Sequence, residues 1–192
     1  MTTKLLGVSM AGKKLNKNNR PTATITNHEK TLKSNDFIVS KTDTKGTIIY
    51  CNQIFTELAG YSASDIIGSN HNLIRHPDMP RLAYKIAWNL IKDKKEFFGF
   101  VKNLCADGGY YWVFAYITAD LDDNGSIIGY TSVRRKPPQS AINTITPIYK
   151  KLLEAESRGG LDASQKLLNE LLQEQNVSYD EFIITLQKDI KV

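Results

Sequence analysis

The segment His71–Pro80 holds the densest group of side chains that could bind a ligand. It contains two of the chain's three histidines, together with Arg75 and Asp78. An arginine can hold a phosphate or a carboxylate through two parallel hydrogen bonds. Pro77 and Pro80 fix their own φ angles and keep the preceding residues out of the α region, so we predict tight turns that lead into a helix.

The charges of this segment call for a negative partner. Asp78 is expected to cap the helix, and Pro80 is tolerated in its first turn. Arg75, and His76 when protonated, precede a helix N-terminus, where the macrodipole favours anions. The compensating group is either Asp78, paired with Arg75, or a bound anion such as a cofactor phosphate, held by Arg75 and helix-terminal N–H groups. The residue types alone leave both alternatives open.

Length and composition indicate one globular domain with appendages. The chain has 192 residues, of which 41% are hydrophobic and 23% are charged, as in water-soluble globular proteins. No apolar run approaches the roughly 18 residues of a membrane-spanning helix, and no secretory signal opens the chain. A cytoplasmic protein without a membrane span is therefore expected, with Cys51 and Cys105 as reduced, packed thiols.

The basic residues are concentrated near the N-terminus. Residues 1–34 hold seven of the 25 basic residues but one of the 20 acidic residues. Because apolar periodicity is weak there, residues 1–33 are predicted to form a basic, largely disordered arm or cap, with at most a short helix at Asn27–Leu32. Nucleic-acid binding would depend on this arm alone, and no nucleic-acid partner is expected.

The next segment, residues 34–138, alternates patterns typical of strands and of helices. Phe37–Thr42 and Thr47–Cys51 are predicted to pair as a hairpin, two short helices follow, and residues 81–93 form a longer helix with one apolar face. Three further strands are predicted at Phe97–Leu104, Tyr110–Thr118 and Ser126–Arg135. This order predicts an α+β fold, in which a five-stranded antiparallel sheet carries helices on one face. A ligand cavity is expected between the sheet and those helices.

Residues 139–192 are predicted to form a helical C-terminal extension. Ile142–Ser157 and Asp162–Gln175 have amphipathic patterns, separated by a break at Arg158–Gly160, and Ser178 can cap a last helix. Amphipathic helices bury one face, so these must pack on the domain, on each other or on a partner.

Motifs in both halves of residues 34–138 resemble those of PAS domains. They are, in order, Asp43-x-x-Gly46-x-Ile48-x-Tyr50-x-Asn52-x-x-Phe55, Gly60-Tyr61-Ser62, Ile66-Ile67-Gly68, Val101-Lys102-Asn103, Tyr111-Trp112-Val113 and Gly129-Tyr130. Within that superfamily, the run His71-Asn72-x-x-Arg75-His76-Pro77-Asp78-Met79-Pro80 resembles the signature of the aerotaxis-receptor (Aer-type) branch. Pro147-x-Tyr149-Lys150 also resembles the stretch that follows the PAS domain in that branch. The resemblance implies a PAS fold that binds FAD non-covalently and senses redox state or oxygen supply.

The resemblance also implies which residues contact the flavin. The positions that match the family's flavin site are Asn52, His71, Arg75, His76, Asp78 and Asn103. Phe97, which stands where this branch often has tryptophan, joins Trp88 and Trp112 as aromatic candidates, although packing is favoured for Trp112. Asn103 is the candidate for a side-chain amide that responds when flavin N5 changes from hydrogen-bond acceptor to donor, because an amide can present either oxygen or N–H.

Several features limit the function further. His71 stands about where the light-sensing LOV branch has its reactive cysteine, so cysteinyl–flavin photochemistry is not expected. The membrane helices and coiled coil of full aerotaxis receptors are missing, which favours a stand-alone sensor, expected to be a homodimer that signals to a chemoreceptor-type or other signalling protein. No catalytic motif is present, so a non-enzymatic role in aerotaxis or energy taxis is expected.

Two alternatives remain within the fold. The first is a haem-binding gas sensor, with His28, His71 or His76 as the axial ligand. The second is a ligand-free dimerisation adaptor, in which phenylalanines of the two long strands close the cavity; these are Phe98, Phe100 and Phe114.

Overall fold

Five strands form one antiparallel sheet with the order β2-β1-β5-β4-β3. The computed structural model describes residues 14–20 and 23–188. The strands are β1 (Phe37–Thr42), β2 (Ile48–Cys51), β3 (Phe97–Leu104), β4 (Tyr110–Leu121) and β5 (Ile127–Arg135). Between β2 and β3 lie α1 (Gln53–Ala59), α2 (Ala63–Ile66), a 3-10 helix (His71–Ile74) and α3 (Arg81–Lys92), followed after the sheet by α4 (Gln139–Glu174) and α5 (Tyr179–Gln187). The predicted α+β fold and its C-terminal helical extension are confirmed.

Side chains of the central strands alternate between the two faces of the sheet. On β4, Tyr111 and Val113 are buried in a cluster with residues of α1, α2 and the 3-10 helix. Their neighbours Trp112 and Phe114 point the other way, into a cluster with residues of α4 and α5. The C-terminal helices therefore cover the face of β4 that the crossing helices leave free.

Local sequence signals begin and end the short helices. Asn52 caps α1 by accepting a hydrogen bond from the Phe55 N–H, and Gly60, with φ of 75°, ends it in the left-handed conformation. Ser62 and Asp65 form a capping box at the start of α2. These contacts set the path of the chain as it leaves the hairpin and crosses the sheet.

The C-terminal extension is one helical segment with an interruption. Within α4, Gly159 (φ −139°, ψ 20°) and Gly160 (φ 70°, ψ −161°) leave the helical conformation. Gly160 has a backbone conformation that favours glycine. The predicted break is confirmed, whereas Pro147 lies inside the helix without ending it. No helix of the described residues is both long and apolar enough to cross a membrane.

Part of the N-terminal arm packs on the domain. The Lys30 N–H donates to the Tyr110 carbonyl at 2.8 Å, and the Tyr110 N–H donates to the His28 carbonyl at 2.9 Å. The short helix predicted at Asn27–Leu32 is wrong. This backbone instead hydrogen-bonds to the start of β4, in a part of that strand with which β5 does not pair. Residues 1–13 lie outside the described residues, so the extent of the arm stays a prediction.

Candidate ligand cavity

A cavity of about 380 Å³ lies between the sheet and the crossing helices. Its volume falls within the usual range of small-molecule sites, and its position is the one expected from the sequence. One part of its wall is apolar and includes Ala87, Ile91, Phe97 and Ile117. Another part is polar and includes Ser40, His71, Asn103, Ser132 and Arg134. Neither Cys51 nor Cys105 lines the cavity.

Five of the nine candidate flavin residues line this cavity. They come from the 3-10 helix and the turn after it, from α3 and from β3, and they are His71, Arg75, Trp88, Phe97 and Asn103. The turn meets the sheet directly, because the backbone of Arg75 forms an antiparallel bridge with that of Asn103. The fold therefore brings together residues that are up to 32 positions apart in the sequence.

The other four candidates do not line the cavity. The side-chain amide of Asn52 hydrogen-bonds to the backbone. Its oxygen accepts from the Val39 N–H at 3.0 Å, and its nitrogen donates to the Phe37 carbonyl at 2.7 Å. Trp112 lies on the far face of the sheet and stacks on Tyr149, with ring centroids 6.3 Å apart. Both residues stabilise the scaffold of the cavity.

His76 and Asp78 also lie outside the cavity wall. His76 is buried, its Nδ1 accepts from the Asp78 N–H at 3.1 Å, and its ring meets Tyr110 edge-on at 5.9 Å. The Asp78 carboxylate is 62% exposed and pairs with Lys102 at 2.7 Å. Burial, and then Lys102, lower the pKa of His76 to about 4. His76 is therefore neutral at physiological pH.

The expected cap of α3 is wrong. The helix starts after Pro80, which provides no side-chain cap, and Asp78 pairs with Lys102 instead of Arg75. The Arg81 and Leu82 N–H groups donate to the carboxylate of Glu156 on α4, at 3.1 and 2.8 Å. The negative group required at this helix end thus comes from the C-terminal extension, and these N–H groups are not free to bind a phosphate.

Arg75 lines the cavity with little competition from protein acceptors. Its guanidinium carbon lies 4.3 Å from the centre of the Tyr84 ring, and the one hydrogen bond that its side chain makes to the described residues, to the Met79 carbonyl, is long at 3.4 Å. Cation–π contact of this kind orients an arginine without neutralising it. The Arg75 guanidinium can therefore still accept an anionic partner.

Arg134, which the sequence did not single out, supplies a second cation to the cavity. It is 3% exposed. Its Nη2 donates to Ser40 Oγ at 2.5 Å, its Nη1 lies 3.4 Å from His71 Nε2, and the guanidinium lies over the Phe55 ring. No carboxylate pairs with it among the described residues. Burial lowers the pKa of Arg134 to about 10, so it remains a cation at neutral pH.

A buried charge with neutral partners alone is unusual, because removing an ion from water costs several kcal/mol unless it is compensated. The sequence of β5 does contain a sign of this residue. Because side chains alternate along a strand, Arg134 lies on the same face as Tyr130 and Ser132, which is the face that packs on the core. The Arg134 Nε and the Asn103 Nδ2 are both buried, and neither has a hydrogen-bond partner within residues 14–20 and 23–188. Two unused donors thus belong to side chains that line one cavity.

His71 remains neutral beside this cation. Burial, and then the charge of Arg134, lower the pKa of His71 to about 3. Its Nε2 lies 3.2 Å from Ser40 Oγ, and its ring stacks on Phe55 at 5.8 Å. His71 can therefore donate or accept one hydrogen bond in the cavity, but it does not change charge near neutral pH.

Aromatic side chains complete the wall. Trp88 meets Tyr130 edge-on, with ring centroids 5.3 Å apart. Phe97 stacks on Tyr179 of α5 at 6.4 Å. The cavity lining thus combines flat apolar side chains with polar ones. The described residues contain no group of three metal-binding side chains.

Comparison with known proteins agrees with this architecture. Residues 48–134 match a family model described as the PAS fold. The aerotaxis receptor of Escherichia coli (strain K12) is 33% identical over 128 residues, which are 67% of this chain and 25% of the receptor. A nitrogen fixation regulatory protein of Klebsiella oxytoca is 31% identical over 97 residues, which are 50% of this chain and 20% of that protein. The chain spans at most about a quarter of the length of these two relatives.

Solved structures support the same fold. A light-oxygen-voltage domain studied with a flavin analogue superposes with a TM-score of 0.51 at 22% identity, over 60% of this chain and 86% of that domain. The light-state structure of the blue-light photoreceptor Aureochrome1 LOV gives 0.50 at 21% identity, over 63% of this chain and 92% of that one. Together, the sheet topology and the match over residues 48–134 show that this chain contains a PAS domain, and over 128 residues it is similar to the aerotaxis receptor.

Proposed function

We propose that this protein is a non-catalytic redox or oxygen sensor that binds FAD in the cavity. The observation that carries the proposal is the buried guanidinium of Arg134, which has no carboxylate partner among the described residues and keeps one donor that none of them accepts, in a cavity with flat apolar walls. A flavin offers carbonyl and ring-nitrogen acceptors along one edge and an apolar benzenoid ring at the other. The lining therefore offers this cofactor both hydrogen-bonding groups and flat apolar side chains.

The proposed orientation follows from the polarity of the walls. The polar edge of the flavin would face Arg134, Asn103 and His71, where unused hydrogen-bond capacity is concentrated. Its apolar ring would lie against the wall that contains Ile91 and Phe97. Burying hydrogen-bonding groups against unused partners avoids the penalty of leaving either side unsatisfied.

A bound flavin would supply reversible electron transfer coupled to proton uptake. Asn103 is proposed to respond to that change, because its amide can present oxygen to a donor or N–H to an acceptor. Asn103 lies on β3, and β3 contacts α3, α5 and β4. A rotation of the Asn103 amide would therefore shift β3, and the shift would be transmitted to the C-terminal helices that contact this strand.

Five of the nine candidate residues are retained as direct contacts in this proposal. These are the cavity-lining residues His71, Arg75, Trp88, Phe97 and Asn103, with Arg75 as the proposed phosphate-binding residue. Asn52, His76, Asp78 and Trp112 are proposed to support the scaffold. Since Arg75 keeps hydrogen-bonding capacity, a dinucleotide that reaches it is favoured over a ring system alone.

The signalling role is proposed on family grounds. We infer a cytoplasmic sensor, dimeric in its working form, that acts on a chemoreceptor-type or other signalling protein. Residues 34–138 would form the sensor domain, residues 139–192 its C-terminal extension and residues 1–33 its N-terminal arm. The similarity to an aerotaxis receptor and to a nitrogen fixation regulatory protein supports a role in signalling.

A haem cofactor fits the cavity less well. Among the three histidines, His71 alone lines the cavity. Its Nε2 faces both Ser40 Oγ and the Arg134 guanidinium. A cation at this distance would oppose a positively charged metal on the same nitrogen.

An absorption spectrum of the full chain, purified without added cofactor, tests the proposal. Two flavin bands, with FAD released on heating, would support it, and so would the same bands after addition of FAD to a colourless preparation. A Soret band would favour haem instead. A folded protein that stays colourless and does not bind added FAD would support the ligand-free adaptor.

A further inference from the structure

The buried carboxylate of Glu156 connects the C-terminal extension to the wall of the cavity. Its side chain is 5% exposed. One oxygen accepts from the Leu82 N–H at 2.8 Å, and the other accepts from the N–H and Nε of Arg81 at 3.1 and 3.3 Å. Because Pro80 contributes no cap, the start of α3 depends on a side chain 75 residues further along.

The helix that Glu156 caps forms one wall of the cavity. Five residues of α3 that follow Leu82 line the cavity: Ala83, Tyr84, Ala87, Trp88 and Ile91. Met79, one residue before Pro80, also lines it and accepts the hydrogen bond from Arg75. A helix moves nearly as a rigid body, so the position of its first turn decides where these side chains lie in the cavity.

Glu156 belongs to an element that packs on the cavity wall at two further points. The Tyr149 hydroxyl of α4 donates to the Phe100 carbonyl at 2.7 Å, and Tyr179 of α5 stacks on Phe97. Phe97 and Phe100 both line the cavity. The C-terminal helices therefore contact β3 and α3, the two elements that enclose the proposed ligand.

We propose that Glu156 is a positioning residue that couples ligand binding in the cavity to the docking of α4 and α5. By linkage, a ligand that favours the capped position of α3 strengthens the docking of the C-terminal helices, and loss of that docking weakens ligand binding to the same degree. The ligand side of this inference rests on the proposed flavin function, whereas the positioning of α3 does not.

The first test compares amide hydrogen exchange in ligand-free, full-length variants. Glu156→Ala should accelerate exchange in the first turn of α3 about 2- to 30-fold, the range expected for loss of a helix cap. Glu156→Gln keeps the volume but not the charge, and should give a smaller acceleration. The matched control is Glu154→Ala on the same helix, where an exposed carboxylate faces Arg158 at 3.6 Å; it should leave α3 unchanged.

Amides of β4 provide the internal reference for this comparison. An acceleration confined to α3 and the C-terminal helices supports a positioning role. Equal acceleration in β4 would mean that the substitution lowers global stability, which contradicts the proposal. Wild-type exchange in Glu156→Ala would also overturn it, because the start of α3 would then not depend on this side chain.

The second test measures the coupling with FAD as the probe. Saturating FAD should slow exchange in α5 of the wild type and of Glu154→Ala, and this protection should be lost in Glu156→Ala, together with at least a fivefold weaker FAD affinity. Unchanged affinity and undiminished protection in Glu156→Ala would refute the coupling while leaving flavin binding intact. If no variant binds FAD, the proposed cofactor fails, and the ligand-free comparison still decides whether Glu156 positions α3.

Discussion

Replacing Arg134 with methionine separates a ligand-binding arginine from a structural one. The drop in the pKa of Arg134 from 12.5 to about 10 corresponds to roughly 3 kcal/mol against the charged form in the folded protein. Both values lie above neutral pH, so the penalty is fully present at pH 7 and is relieved only as pH rises above about 10. The contacts with Ser40, His71 and Phe55 favour the charged form and oppose this penalty.

Removal of the charge should therefore change the stability of the ligand-free protein little. Arg134→Met is expected to cost less than about 1 kcal/mol or to stabilise, whereas breaking a compensated buried ion pair costs about 3 to 5 kcal/mol. FAD affinity should fall about 10- to 150-fold, the equivalent of one hydrogen bond to a charged group. In any variant that still binds FAD, the reduction potential should become more negative, because the guanidinium no longer stabilises added electrons.

Urea unfolding of the ligand-free protein and a flavin fluorescence titration measure these two effects. Arg135→Met is the matched control, because Arg135 is the next residue, is exposed and lies over the Phe114 ring on the outer face of the sheet. The control should bind FAD like the wild type. A loss of 3 kcal/mol or more in Arg134→Met, with unchanged FAD affinity of the folded fraction, would show that Arg134 is structural and would refute the reasoning.

Three further predictions follow from the cavity and its histidines. Ala87→Phe should fill part of the cavity and abolish FAD binding while cooperative unfolding persists; FAD bound at wild-type affinity would place the site elsewhere. Asn103→Ala should retain FAD but lose the reduction-dependent change in β3 exchange, and an unaltered change would remove Asn103 from the mechanism. His71 and His76, with folded pKa values of about 3 and 4, bind protons more readily when unfolded, so stability should decline as pH falls from about 6.5 to 4. His76→Gln should flatten that decline in urea unfolding, whereas the wild-type slope in this variant would contradict the assignment.

Sequence patterns predicted the fold because its signals are local. The hairpin turns, the caps at Asn52 and Ser62 and the apolar face of α3 each depend on residues within a few positions of one another. The turns of His71–Pro80 that lead into α3 followed from its two prolines. The cavity between sheet and helices is a consequence of that order.

The chemistry of the site was harder to predict from the sequence, because it depends on contacts between residues far apart in the chain. Glu156 lies in a helix whose pattern gives no sign that its carboxylate reaches Arg81 and Leu82. Arg134 is followed by Arg135 and Lys136 at the end of β5, where a run of basic residues resembles an exposed strand end. His76 and Asp78 were grouped with His71 by their spacing, yet the prolines turn the chain so that both lie outside the cavity wall.

Amide hydrogen exchange of the FAD-loaded protein, compared under oxidising and anaerobic reducing conditions, tests the central claim most directly. The account predicts that reduction changes exchange in β3, which carries Asn103, and in α5, whose Tyr179 stacks on Phe97, while β1 and β2 remain as they are. Full bleaching of the flavin bands with identical exchange throughout would show that the protein does not respond to the redox state of its ligand, and would contradict a sensor function.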